Sequence, residues 1–108
     1  MDANMMIMSS DSDKPIDISD PFARQLMARY LQRRDADISA LRNALKETEF
    51  EKIRITGHNM FGSGAAYGLD EISRLGQNIE DAAEEGDSAR LTGLISDLEH
   101  YLKALKIV

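Results

Sequence analysis

One histidine of this chain lies within a run of small residues: Gly57-His58-Asn59-Met60-Phe61-Gly62-Ser63-Gly64-Ala65-Ala66-Tyr67-Gly68-Leu69. The surrounding sequence predicts a helix here, although four glycines occur within twelve residues, and each glycine inside a helix costs about 0.5–1 kcal/mol relative to alanine. Gly62 follows His58 by four residues, which places both on one helical face, a turn apart. This pattern predicts that space is kept open around an imidazole that a bulky partner must reach.

The composition limits the class of protein. At 108 residues, with 43% hydrophobic and 30% charged residues, the chain resembles a single soluble globular domain. Cysteine is absent, which excludes disulfides and thiolate metal sites and favours a reducing compartment. A net charge of −6 argues against nucleic-acid binding. No apolar run is long enough for a signal peptide or a membrane span, so a cytoplasmic protein is expected.

Capping residues and apolar residues at three- and four-residue spacing divide the chain into helices. Residues 1–18 lack this spacing and are predicted to be a flexible tail, which leaves 19–108 as the folded domain. The predicted limits are Asp20-Pro21 for the start of helix one, Asp35 or Asp37 for helix two, a capping box at Thr48–Glu51 for helix three, which ends near Tyr67-Gly68, about Leu69 to Glu85 for helix four, and Asp87 as the cap of helix five.

The order of these elements predicts an all-α fold. Runs of alternating β-branched residues are missing, so a sheet is not expected. Because the connections between helices are short, successive helices should be antiparallel neighbours. We therefore expect an antiparallel up-and-down four-helix bundle made of helices two to five, with helix one as an additional N-terminal helix packed at one end.

The chemistry of His58 is not decided by the residue alone. A neutral imidazole can attack phosphorus, bind a metal or act as a base. A metal site needs convergent ligands, and the other histidine, His100, is forty-two residues away without a ligand spacing. Ser63 is five positions from His58, on a different helical face, which disfavours acyl transfer. A structural role, in which the glycines permit close helix packing, stays open.

The wider pattern resembles the histidine-containing phosphotransfer (HPt) domains of two-component phosphorelays. That family has a histidine, a glycine four residues later, small residues, and then a glycine and a large apolar residue ten and eleven positions after the histidine. The matching residues here are His58, Gly62, Ser63-Gly64-Ala65, Gly68 and Leu69. The match is strongest over residues 49–85, and the helical layout extends it from about 20 to 105.

The resemblance implies that the protein relays a phosphoryl group between aspartates of response-regulator receiver domains through phospho-His58. The implied partners are these receiver domains and a hybrid histidine kinase. The chain would be a monomeric carrier without a cofactor of its own, and the Mg²⁺ would belong to the receiver. No nucleotide-binding motif is present, so kinase activity is not expected. The alternative is a degenerate HPt-like bundle that binds partners without being phosphorylated.

The resemblance also assigns roles to individual residues. His58 is the phosphoacceptor, and Gly62 removes a side chain that would cover it. His58 lies about ten residues before the expected turn at Tyr67-Gly68, and Glu80 lies about twelve after it, so the two should come level in a helical hairpin. In the family an acidic or amide residue at this position orients the histidine, and Glu80 matches it.

One residue departs from the family pattern. Where HPt domains usually carry lysine three residues after the histidine, this chain has Phe61. Arg54, one turn before His58, is the nearest substitute for the missing charge, with Lys52 and Arg74 as others. Phe61 could instead anchor the receiver by an apolar contact. The partner-binding residues implied by the resemblance are Arg54, Ile55, Phe61, Gly62 and Ala65.

Overall fold

The computed structural model describes residues 15–16 and 19–107. Its four helices are α1 (Pro21–Lys46), α2 (Phe50–Ala66), α3 (Asp70–Glu84) and α4 (Ser88–Ala104). Two short strands, β1 (Pro15–Ile16) and β2 (Lys106–Ile107), pair in parallel beyond the ends of the helices. The predicted all-α class is confirmed, and these two-residue strands are the one addition to it within the described chain. No helix in this part of the chain is both long and apolar enough to cross a membrane.

The predicted additional N-terminal helix is wrong. The residues assigned to helices one and two form one continuous helix of 26 residues, α1, because neither glycine nor proline occurs between Phe22 and Lys46. Asp37, an expected helix start, pairs instead with Arg34 one turn earlier, at 2.9 Å. Asp20 caps α1 as predicted and accepts a hydrogen bond from the Phe22 backbone at 3.0 Å. Apart from β1, the predicted tail lies outside the described residues.

The three connections between helices have the same length and the same backbone hydrogen-bond pattern. In each, the third residue donates a backbone hydrogen bond to a carbonyl five residues earlier: Glu49 to Ala44 at 2.8 Å, Leu69 to Gly64 at 2.8 Å and Asp87 to Ala82 at 2.9 Å. The middle residues, Thr48, Gly68 and Gly86, have φ values of 52°, 74° and 65°. Such left-handed residues close a helix and reverse the chain within three residues.

Thr48 is therefore not the first residue of a capping box. The N-cap of α2 is Glu49, whose side chain makes no capping bond, and the Thr48 hydroxyl donates to the Glu47 carbonyl at 2.7 Å. The prediction failed because the tight turn places Thr48 in the closing position of α1. The predicted cap of α4 is confirmed, since Asp87 accepts from the Arg90 backbone at 3.0 Å.

A continuous apolar core fills the space between the four helices. Each helix contributes buried residues, and two tyrosines close the end near the α2–α3 turn, where the rings of Tyr30 and Tyr67 stack with centroids 4.1 Å apart. The largest fully buried side chains are Met27, Leu41, Ile53, Met60, Leu69, Ile72, Leu75, Ile79, Leu91 and Ile95.

Three glycines bring the backbones of α2 and α3 into direct contact. A Cβ added at Gly57 would lie 2.7 Å from the Gly76 carbonyl oxygen and 2.7 Å from the Glu80 backbone nitrogen. A Cβ added at Gly76 would lie 2.5 Å from the Phe61 backbone nitrogen, and one at Gly64 would lie 2.6 Å from that of Ser73. Any side chain at these positions would push the helices apart. The short distance between α2 and α3 therefore depends on glycine at all three positions.

This contact predicts a large effect of one methyl group. We expect Gly76→Ala to lower the free energy of unfolding by about 2 kcal/mol or more, because the overpacking at fixed backbone atoms exceeds the gain in helix propensity. The matched control is Gly93→Ala in α4, where an added Cβ meets nothing within 4 Å; this variant should be more stable by about 0.5–1 kcal/mol. Denaturant unfolding measures both. Equal stabilities for the two variants would contradict the close contact.

Candidate functional site

His58 and Glu80 meet on the outer surface of the α2–α3 pair. The His58 side chain is 64% exposed, and its Nδ1 lies 3.2 Å from Oε2 of Glu80, which is 17% exposed. The close contact at Gly57 and Gly76 sets this distance, since the Glu80 backbone lies directly against Gly57. Glu80 thus lies level with His58, as expected from the number of residues between each of them and the turn at Tyr67-Gly68.

The Glu80 contact distinguishes the two imidazole nitrogens of His58. An ionised carboxylate can only accept hydrogen bonds, so in neutral His58 the proton of the bond to Glu80 belongs to Nδ1. Nε2 then carries the free lone pair. Because His58 is largely exposed, this nitrogen is open to a reactant that approaches from solvent, and the arrangement suits nucleophilic attack by Nε2.

Arg54 lies one turn before His58 and joins the same group of charges. Its guanidinium makes two hydrogen bonds with the Glu51 carboxylate, both 2.8 Å, and its Nη1 lies 3.7 Å from Oε2 of Glu80. The hydrogen bonds with Arg54 lower the pKa of Glu51, and those with Glu51 raise the pKa of Arg54. Arg54 and His58 thus both lie close to the same oxygen, Oε2 of Glu80.

The exposed side of α2 around the histidine carries all of the predicted partner-binding residues. We call this surface the His58 face, made of Glu51, Arg54, Ile55, His58, Phe61, Gly62 and Ala65. A Cβ added at Gly62 would meet nothing within 4 Å, so a side chain there would project into solvent beside His58. Ile55 and Phe61, one turn before and one turn after His58, are 45% and 41% exposed.

The other residues singled out by the sequence are not part of the His58 face as defined above. Lys52 pairs with Glu49 at 3.0 Å, and Arg74 pairs with Glu71 on α3, so both alternative cations are already engaged. His100 is exposed on α4. Within the described chain, no group of three or more His, Asp or Glu side chains could hold a metal ion.

Ser63 takes part in a polar contact that the sequence did not reveal. Its Oγ lies 2.8 Å from the Tyr30 hydroxyl and accepts from Arg34 at 3.2 Å, and the Arg34 guanidinium lies over the Tyr30 ring at 4.6 Å. These contacts join α1 to α2 on the side away from His58. The hydroxyl of Ser63 therefore serves helix packing, on a helical face different from that of His58.

Ser73 makes a second contact of this kind, between α3 and α2. Its hydroxyl donates to the Phe61 carbonyl at 2.8 Å and accepts from the Ala65 backbone at 2.7 Å. The buried Ser73 hydroxyl thus connects the Phe61 carbonyl with the Ala65 amide, one turn further along α2. Serine within a helix gives no sequence signal for such a bond, because the bond depends on the facing glycine, Gly64.

Comparison with known proteins places this bundle in a family. The family model described as Hpt domain matches residues 25–107, which covers all four helices except the first turn of α1. Neither a curated protein nor a solved structure matches the chain. The chain therefore belongs to the Hpt domain family, whose members are phosphocarrier modules of two-component phosphorelays.

Proposed function

We propose that this protein relays a phosphoryl group between the aspartates of response-regulator receiver domains, with His58 as the carrier. The observation that supports the proposal best is the exposed imidazole whose Nδ1 is held by Glu80 at 3.2 Å. This contact leaves Nε2 free to attack. A buried or metal-bound histidine could not meet a protein-sized donor in this way.

The transfer step follows from this geometry. The Nε2 lone pair attacks the phosphorus of a phosphoaspartate, the N–P bond forms, and the O–P bond breaks with its electron pair leaving on the aspartate. The proton stays on Nδ1, and the Glu80 carboxylate compensates the positive charge that develops on the ring. The reverse step passes the phosphoryl group to the aspartate of the next receiver.

The remaining requirements fall to the partner. Phosphoryl transfer depends mainly on positioning and on stabilisation of charge on the phosphoryl oxygens. The proposal assigns the Mg²⁺ that supplies this charge to the receiver domain, and the first phosphoryl group to a hybrid histidine kinase. It implies a monomeric protein that works in the cytoplasm, where these partners act.

The direct test is transfer from phosphorylated receiver domains. We expect a phosphate on the wild-type chain that is labile in acid and stable in alkali, as a phosphoramidate is. His58→Gln should abolish it, and His100→Gln, which changes the other histidine, should leave it in place. Intact-mass spectrometry after acid and alkali treatment measures the result.

A second function is favoured by Phe61, which replaces the lysine usual in the family. In this alternative the bundle binds partners through the His58 face without accepting a phosphoryl group. A receiver panel that binds the chain but never phosphorylates His58 would support this function and contradict the relay.

Gly62 offers a test of access to His58. Gly62→Leu should keep the helix intact, because leucine is the better helix former, yet its side chain would cover the approach to the ring. We expect transfer from a receiver to slow about tenfold or more. Gly93→Leu is the matched control, since Gly93 is also an exposed helical glycine with open space around it. Equal rates for both variants would refute the role of Gly62.

Phe61→Lys tests what replaced the family's lysine. Because the ring is partly exposed beside His58, we expect it to anchor the receiver, so that the substitution raises the Kd of the complex about tenfold. Phe22→Lys, at an exposed site on α1, controls for the added charge. If Phe61→Lys instead accelerates transfer at unchanged Kd, a missing charge is the correct explanation and the apolar anchor is not.

A further inference from the structure

Arg54 is the only arginine or lysine on the His58 face, and it is already occupied. Its Nε and Nη2 donate hydrogen bonds to the two carboxylate oxygens of Glu51, at 2.8 Å each. Its remaining terminal nitrogen, Nη1, lies 3.7 Å from the same Glu80 oxygen that holds His58. Arg54, the cation of the His58 face, is thus paired with Glu51, which makes none of the described hydrogen bonds with His58.

The positions of these side chains make them competitors. Arg54 and His58 are four residues apart, and helical side chains lean toward the preceding turn, so the ring leans toward Arg54. A phosphoryl group on Nε2 would bring a multiply charged anion with three acceptor oxygens to this end of the face. A guanidinium binds such a group in the same two-bond geometry with which it binds a carboxylate.

We infer that Glu51 regulates the lifetime of phospho-His58 by competing with the phosphoryl group for Arg54. This inference rests on the proposed function, since it requires His58 to carry a phosphoryl group. With Glu51 present, Arg54 divides its time between the carboxylate and the phosphoryl oxygens, and the phosphohistidine stays short-lived and ready for transfer. Without the Glu51 carboxylate, Arg54 is available to the phosphoryl group alone.

The direction of the effect follows from the charge changes during hydrolysis. Water attacks phosphorus and forms a new P–O bond, and the N–P bond breaks with its electron pair returning to Nε2. Both protons of the water leave with the inorganic phosphate, and the proton on Nδ1 stays in place. As the N–P bond breaks, its electron pair moves from the phosphoryl group to Nε2, so in a dissociative transition state the phosphoryl oxygens carry less negative charge than in the phosphohistidine. Arg54 would hold these oxygens without positioning the attacking water, whereas the receiver's Mg²⁺ acts in a complex that also positions the aspartate. The guanidinium therefore stabilises the phosphohistidine more than it stabilises the transition state for hydrolysis, and so slows the loss of phosphate.

The chain contains its own control for this idea. On α3, Arg74 and Glu71 form the same two-bond pair at the same three-residue spacing. Arg74 is also influenced by Asp97 of α4, which places it on the side of α3 toward α4. Glu71→Gln therefore removes the same charge from the same kind of pair as Glu51→Gln, away from His58.

The experiment loads His58 with phosphoramidate, which donates its phosphoryl group to Nε2 and releases ammonia. All variants carry His100→Gln so that one histidine is observed. The decay of the phosphohistidine signal is followed by ³¹P NMR at constant pH and ionic strength. The ¹H–¹⁵N resonance of Arg54 Nε is followed before and after loading, because a shift of that resonance reports a change of its partner.

We expect Glu51→Gln to lengthen the phosphohistidine half-life about two- to fivefold, which is the range for an exposed ion pair. Arg54→Gln should shorten it, Glu51→Gln combined with Arg54→Gln should match Arg54→Gln alone, and Glu71→Gln should match the parent. Loading should shift the Arg54 Nε resonance. Equal half-lives for the parent and Glu51→Gln would overturn the inference while leaving the proposed function standing. No phosphate on His58 from either phosphoramidate or receivers would overturn both.

Discussion

The contact between the backbones of α2 and α3 is the constraint on which the site depends. Gly57 and Gly76 let the two helices approach until a single Cβ would overlap backbone atoms of the partner helix. This approach brings the Glu80 carboxylate within 3.2 Å of His58 Nδ1. A wider spacing would leave the ring without a hydrogen-bond partner and free to adopt either tautomer. The glycines therefore act on the chemistry of His58 through the geometry of helix packing.

The glycines of the His58 region serve different purposes. Gly62 has open space around it and lies on the His58 face, whereas Gly57 and Gly64 lie in the α2–α3 contact and Gly68 closes α2 with a positive φ. Of these glycines, only Gly62 fits the prediction that space is kept open around an imidazole. The structural role left open by the sequence applies to the glycines in the helix contact, whereas the access role of Gly62 stays a prediction.

The sequence predicted what depends on local pattern and chain length. Asp20 and Asp87 cap their helices because a carboxylate before a helical run is a local signal. That Glu80 lies level with His58 followed from counting residues on each side of a tight turn.

The sequence-based predictions failed where the packing of side chains and turns decides the structure. Asp37 looks like a helix start until its pairing with Arg34 is seen. Thr48 begins a Thr-x-x-Glu pattern, yet the turn requires it in the left-handed region. The pair of Glu51 and Arg54 could have been read from its three-residue spacing, but its approach to Glu80 required the neighbouring helix.

The proposed relay requires that Glu80 holds the proton on Nδ1 and leaves Nε2 as the reactive atom. Long-range ¹H–¹⁵N NMR of His58 measures this directly, because it identifies the protonated nitrogen in the free protein and the phosphorylated nitrogen after loading. We expect the Nδ1–H tautomer in the neutral ring, phosphate on Nε2, and loss of the tautomer preference in Glu80→Ala. An Nε2–H tautomer in the wild-type protein, or phosphate on Nδ1, would contradict it.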